Sequence, residues 1–217
     1  PLEQALSGKS VLQGVSPLAG RVGERVADAR VAITDDPLLD RRPGSRPFDD
    51  EGVPSVRLPL VVDGVLRAFV YDLETAARAG AGTTGHGQRG TFTKPGIAYS
   101  NLVFGSPEGL VDRRHEPGAG SRTPGGGLLA GIGDGLLVDD LIGVGQGNVI
   151  SGAFSHPVAL AYRVRNGEVV GRVKQAAVAG NVYQLLKGPI GWGTTSRWVG
   201  SRRQPTILLE GVSVTAK

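Results

Sequence analysis

Three histidines, His86, His115 and His156, are the side chains of this 217-residue chain best able to move protons or bind metal near neutral pH. No two of them stand three or four residues apart, the spacing that sets two metal ligands on one helix face, and no H-E-x-x-H pattern occurs. The chain has no cysteine, which removes thiolate ligands, a thiolate nucleophile and any disulfide framework. A metal site made by this chain alone is therefore not expected. His156 precedes Pro157 at a strand entry and reads as a packing or turn residue. His86 lies in a Gly-rich run and is the histidine whose surroundings suit a function.

Carboxylates gather at Asp35-Asp36, Asp49-Asp50-Glu51 and Asp139-Asp140. Paired carboxylates can do acid/base work or hold hard cations, but neighbours on a strand point to opposite faces, so turn and cap chemistry is the expected role. No G-x-S-x-G elbow marks a nucleophilic serine. Gly85-His-Gly87-Gln-Arg-Gly90 has the dinucleotide spacing, yet it lacks the buried strand before it and the helix after it that hold a pyrophosphate. The clusters Gly131 to Gly135 and Gly143 to Gly147 have no Walker lysine and suit tight turns or close approach of another backbone.

The elements that must position these residues are mostly strands. Val56–Val62 and Val65–Tyr71 flank Asp63-Gly64, and Val158–Arg165 and Glu168–Lys174 flank Asn166-Gly167. Both dipeptides suit the type I′ turn of a two-residue hairpin. Pro59 places the first of these strands at a sheet edge. Ser16-Pro17 ahead of Leu18, Val22 and Val26 predicts a helix. Short helices are also predicted from Asp72 to Ala79, stopped by Gly80, and from Asn181 to Leu186, stopped by Gly188-Pro189. Further strands are expected at Arg30–Thr34, Ser100–Phe104 and Thr206–Val214. Residues 80–100 and 105–127 read as loops. The fold class is α+β, mainly antiparallel sheet and hairpins with a few short helices.

Composition agrees with a folded, turn-rich protein: 35 glycines and 14 prolines accompany only 20% charged residues. The core must come from aliphatic residues, because aromatics are 5%. A net charge of +4 is spread over scattered arginines without interleaved aromatics, which argues against specific nucleic-acid binding. No apolar run reaches the length of a membrane span. The chain starts at Pro1 and contains no Met, so it is expected to be part of something longer.

Several segments, in order, resemble the TldD/PmbA (TldE) family. Phe48-Asp-Asp-Glu-Gly-Val53 with the Asp63-Gly64 hairpin and Tyr71-Asp72 is similar to the family's "FDDEG…NGVL…YD". Thr83-Thr-Gly-His-Gly87 resembles "STGHA/STGNA", and Ser100-Asn-Leu102 resembles "SNL". Gly135 to Gly143 is similar to "GLLVTELIG". Ser151 to Ser155, Asn166-Gly167 and Ala177 to Asn181 resemble "TGDYS…NGE…TIAGN", and Pro205 to Val214 resembles "PSLLIEGMTV". The likeness runs from about residue 5 to 215.

The resemblance implies the C-terminal portion (residues 1–217 here) of a cytoplasmic protein that acts on unfolded peptides, its N-terminal domain lying outside this chain. In the family, a TldD-type subunit carries zinc on an H-E-x-x-x-H helix with a cysteine near the C-terminus. Its TldE/PmbA-type partner pairs with it without metal, and members also carry the label "modulator of DNA gyrase". The stretch Trp192 to Gln204, where that cysteine is sought, has none. The chain is thus expected to be the TldE/PmbA-like subunit, non-catalytic, with zinc in the TldD-like partner. The alternative is a homodimeric peptide-binding or scaffold protein without peptidase activity. The residues expected to meet an extended peptide are Thr84, Gly85, His86, Gly145, Gln146 and Asn148. Asp49 and Glu51 are expected to support the 84–86 loop.

Overall fold

A computed structural model describes residues 1–105, 127–146 and 148–216. Two antiparallel-dominated sheets carry the fold. The first contains β1 (Ala32–Asp35), β2 (Leu58–Val62), β3 (Val65–Leu66), β6 (Leu102–Gly105), β11 (Ile190–Val199) and β12 (Arg202–Leu209), in the order β11-β12-β6-β1-β2-β3. The second contains β7 (Asp134–Leu141), β8 (Ala153–Arg165), β10 (Ala176–Asn181) and β13 (Ser213–Ala216), in the order β13-β10-β8-β7, with β9 (Glu168–Val173) also on β8. A two-stranded ladder, β4 (Gly87–Gln88) with β5 (Gly96–Ile97), lies within the stretch expected to be loop.

Both hairpins form where turn chemistry places them. Asp63 and Gly64 have φ of 52° and 72°, and Asn166 and Gly167 have 47° and 83°, the positive pair that a type I′ turn requires. Asp72 caps α3 (Leu73–Ala79) by accepting from the Thr75 N–H at 2.8 Å, and Gly80 ends it at φ 61°. Asn181 caps α4 (Val182–Leu185) in the same way.

Besides that ladder, further expectations fail, and the strand expected over Val65–Tyr71 is regular only over Val65–Leu66. Residues 16–27 form turns, while the helices at this end are α1 (Leu2–Ala5) and α2 (Gly8–Leu12). Leu18 and Val26 are buried, but Val22 is exposed, and Gly20 and Gly23 take positive φ, so the four-residue spacing never became one helical face. The strand holding Pro59 runs inside its sheet. It tolerates proline there because Pro59 lies at the bulge where the β1–β2 register shifts, beyond the end of the two-residue β3. The expected strand 206–214 is two strands in different sheets, separated at Gly211 (φ 80°). Asp35 is no turn residue: it ends β1 and is buried.

The core lies on the first sheet and the N-terminal helices. Leu6, Leu60, Leu66 and Val70 are completely buried, with Val31, Ile33, Leu102 and Ile190 nearly so. The second sheet is more open; every residue of β9 except Val173 is exposed. Among the described residues, no helix is long and apolar enough to cross a membrane.

Candidate functional site

The Thr83–Gly87 loop runs from α3 into β4, and its side chains point into the protein. Thr84 Oγ1 accepts from Tyr71 N–H at 2.7 Å and lies 3.0 Å from Tyr71 O, so the hydroxyl takes the place of a strand partner. Gly85 has φ 70° and packs beside Pro54 O, a conformation that an L side chain would strain. His86 is 1% exposed. Its Nδ1 lies 2.8 Å from Thr84 O and its Nε2 lies 3.1 Å from Asp35 Oδ2. Asp35 also accepts from the Ser100 N–H at 2.9 Å and from the Ser100 hydroxyl. Tyr99 sets its ring edge-on to His86, and burial pushes its phenol above the ordinary tyrosine range.

Ser100 does not complete a Ser-His-Asp triad, because Asp35 stands between it and His86, away from solvent. The hydroxyl that reaches His86 is Thr84 Oγ1, 2.9 Å from Nδ1, and it is already engaged with Tyr71 N–H and Tyr71 O. The two acidic residues expected to support the loop touch it directly. Asp49 Oδ1 accepts from Glu51 N–H and Val53 N–H, and its Oδ2 accepts from Gly87 N–H at 2.8 Å. Glu51 Oε2 accepts from Leu73 N–H at 2.8 Å, and its side chain fills the space where a Cβ on Gly87 would stand.

Gly145, Gln146 and Asn148 sit elsewhere, in the segment between β7 and β8. Val144–Gln146 is a single 3-10 turn; Gly145 and Asn148 are exposed, with open space around Gly145. Asn148 Oδ1 accepts from Ser151 N–H at 2.9 Å, closing its own turn. Among the described residues, no hydrogen bond links Gly145 or Asn148 to the 84–86 loop, so the six residues form two groups. His156 is buried and stacks on Phe154 at 5.8 Å, the packing role expected of it. His115, Arg113-Arg114 and Gly147 lie outside the described residues. Asp139 and Asp140 are exposed at a bulge of β7, with Asp139 3.7 Å from Arg197.

One apolar groove was not foreseen. A groove of about 600 Å³ runs between one face of the second sheet and the end of β12, lined by Leu136, Val138, Phe154, Val178, Ile207 and Val214 among others. On its rim, Arg163 donates to both carboxylate oxygens of Asp134, and that contact holds the Asp134 carboxyl below the usual range. β7, which among the described residues ends one side of its sheet, runs along this groove. The groove mixes β7, β10, β12 and β13, so no local stretch of sequence announces it.

The described residues do not fit a zinc centre. No three of His, Cys, Asp and Glu converge among them, and both ring nitrogens of His86 face partners inside the protein.

Comparison with known proteins places this architecture. Residues 1–216 match the family described as the PmbA/TldA metallopeptidase C-terminal domain. The chain belongs to the PmbA/TldD metallopeptidase family. Within it, a metalloprotease of Archaeoglobus fulgidus is 32% identical over 84% of this chain and 39% of its own length. A metalloprotease PmbA homolog of Haemophilus influenzae is 28% identical over 97% of the chain and 42% of its own. The crystal structure of TldE from Thermococcus kodakarensis superposes with a TM-score of 0.79 at 29% identity, covering 99% of this chain and 46% of that one. A candidate modulator of a DNA gyrase from Thermotoga maritima gives 0.80 at 31% identity, covering 98% and 45%. The chain thus spans less than half the length of these PmbA/TldD relatives.

Proposed function

We propose that this chain is the C-terminal portion of a TldE/PmbA-like, non-catalytic subunit of a cytoplasmic zinc metallopeptidase that degrades or matures unfolded peptides. Its partner is a TldD-like paralogue that holds the zinc. The observation that carries the reading is the donor set. The chain has no cysteine, β11 and β12 pair as an antiparallel hairpin, with a register shift between Trp192 and Ser196, where the family's cysteine is sought, and His86 and His156 are committed to internal contacts. Family membership supports the peptidase setting. The edge of β7, which pairs with β8 alone among the described residues, lies beside the apolar groove and offers what an extended peptide needs, backbone groups in a row with room for side chains.

The test is zinc content and cleavage of an unfolded peptide by the full-length protein, alone and mixed with its organism's H-E-x-x-x-H paralogue. A metal-free, inert chain whose mixture cleaves and is silenced by a chelator is the expected result. Cleavage by the chain alone with stoichiometric zinc overturns the subunit assignment. A stable homodimer that ignores the paralogue, with neither sample cleaving, points instead to a peptide-binding scaffold.

A further inference from the structure

We infer that the connection between β7 and β8 is a subunit-docking surface, anchored by Ile142, Val144 and Ile150, and that an uncharged apolar patch of the partner covers it. The inference rests on the heterodimer reading above and names its contact surface.

Ile142, Val144 and Ile150 are 56%, 58% and 62% exposed, all within one connection between paired strands. Keeping large aliphatic side chains in water is unfavourable, and a group of them marks a contact surface where a lone one does not. The stretch is also uncharged. From Leu141 to Tyr162 there is no Asp, Glu, Lys or Arg, in a chain with 24 basic and 20 acidic residues. Val169 and Val170, the exposed pair on β9, sit instead among Glu168, Arg172 and Lys174.

The connection is held in shape from within. Asn148 Oδ1 accepts from the Ser151 N–H at 2.9 Å, and the Gly152 N–H donates to Asn148 O at 2.9 Å. The Asn181 amide donates to Ser151 O, and the Tyr183 hydroxyl donates to Val149 O at 2.6 Å. Gly152, at φ 70°, lies where a Cβ would strike the Tyr183 ring. Val149 packs on the core, while its neighbour Ile150 faces outward. At the other end, the Ile142 N–H donates to Pro157 O at 2.9 Å. Anchors fixed before contact lose little freedom on binding.

The chemistry of the surface selects its occupant. The stretch has no cation to attract nucleic-acid phosphates or an anionic lipid headgroup. Subunit interfaces are depleted of charge at their centre, and a few buried anchors there carry most of the affinity. A stable interface covers about 800 Å² of each partner. Three side chains are therefore its centre, with the polar surface around them as the rim. Two copies of this chain each bring a net charge of +4, a repulsion that disfavours a second copy as the occupant.

The experiment is calorimetric titration of the full-length protein with its H-E-x-x-x-H paralogue. Wild type is compared with Ile150→Lys, Val144→Lys and, as a control of similar exposure, Val170→Lys. Ile150→Lys and Val144→Lys should each weaken association by about tenfold or more, because a lysine is then buried without a partner. Val170→Lys should bind as wild type does, and the melting temperature of each unpartnered variant should be unchanged. Wild-type affinity in Ile150→Lys and Val144→Lys overturns the inference and leaves the heterodimer reading standing, as does an equal loss in Val170→Lys. A lowered melting temperature in the unpartnered Ile150 and Val144 variants also overturns it, because the protein's own further segments then cover the connection. Wild type that pairs with itself and ignores the paralogue, with Ile150→Lys monomeric, overturns the choice of occupant. Wild type that associates with neither overturns the heterodimer reading and the inference together.

Discussion

The two hairpins are built on the same chemistry and live in different surroundings. Asp63-Gly64 turns inside the first sheet, where Gly64 donates to Val31 O and its own carbonyl accepts from Val26 N–H and Ala27 N–H. A Cβ on Gly64 would run into Ala27 O and Asp28 O. Asn166-Gly167 turns at the end of a largely exposed ribbon, and a Cβ on Gly167 meets nothing closer than Ala130 Cα at 3.1 Å. The difference teaches that turn chemistry sets where the chain reverses, while packing sets how much the reversal matters.

Substitutions can break or sharpen that contrast. The largest effect is expected from Gly64→Ala, which combines left-handed strain with a backbone clash and should cost roughly 3–5 kcal/mol in urea unfolding; Gly167→Ala pays chiefly the strain, about 1–2 kcal/mol. Next comes Leu60→Ala, which empties a completely buried position in the first sheet and should cost about 3 kcal/mol, whereas Val170→Ala on exposed β9 should stay within about 0.5 kcal/mol. Equal losses at Leu60 and Val170 would erase the distinction between the sheets. Asp49→Asn turns an amide donor toward N–H groups that need an acceptor; about 1–3 kcal/mol is expected, with faster amide exchange at Gly87.

Tyr183 offers a milder test. Its hydroxyl donates to Val149 O at 2.6 Å, and burial pushes its phenol up to about 12. Because the folded value lies above the unfolded one near 10, this contribution is full below about pH 10 and lost as pH rises toward about 12. Tyr183→Phe should therefore lack that part of the alkaline loss when unfolding midpoints are compared across this range. The smallest effect is expected at the exposed Asp134–Arg163 pair, where Asp134→Asn should leave the midpoint unchanged at neutral pH.

What was legible in the sequence was local. Asp63-Gly64, Asn166-Gly167, and the Asp72 and Gly80 ends of α3 carry their structural instructions within a few residues, and each element formed there. What was missed depends on distant partners. β10 and β11 have no flanking signature of comparable strength, and β12 and β13 read as one strand until Gly211 sends them to different sheets. Leu18 and Val26 looked helical because spacing cannot tell a helix face from two turns packed on one core. Resemblance brought out the Thr84–His86 loop and its Asp49 and Glu51 supports. The hub of that network, Asp35, was hidden because its partners lie 51 and 65 positions away. A run of two aspartates before a proline looks like a turn unless the fold is known.

The first sheet is completed by a parallel pairing, residues 202 and 203 of β12 against residues 102 and 103 of β6, with much of the second sheet intervening in the chain. Closing so long a loop is slow, because its entropy is lost before any contact rewards it. During biosynthesis the β6 edge therefore waits, with unpaired backbone groups, until the β11–β12 hairpin has emerged and docked. That interval is when the nascent protein is most open to joining a neighbouring chain strand to strand.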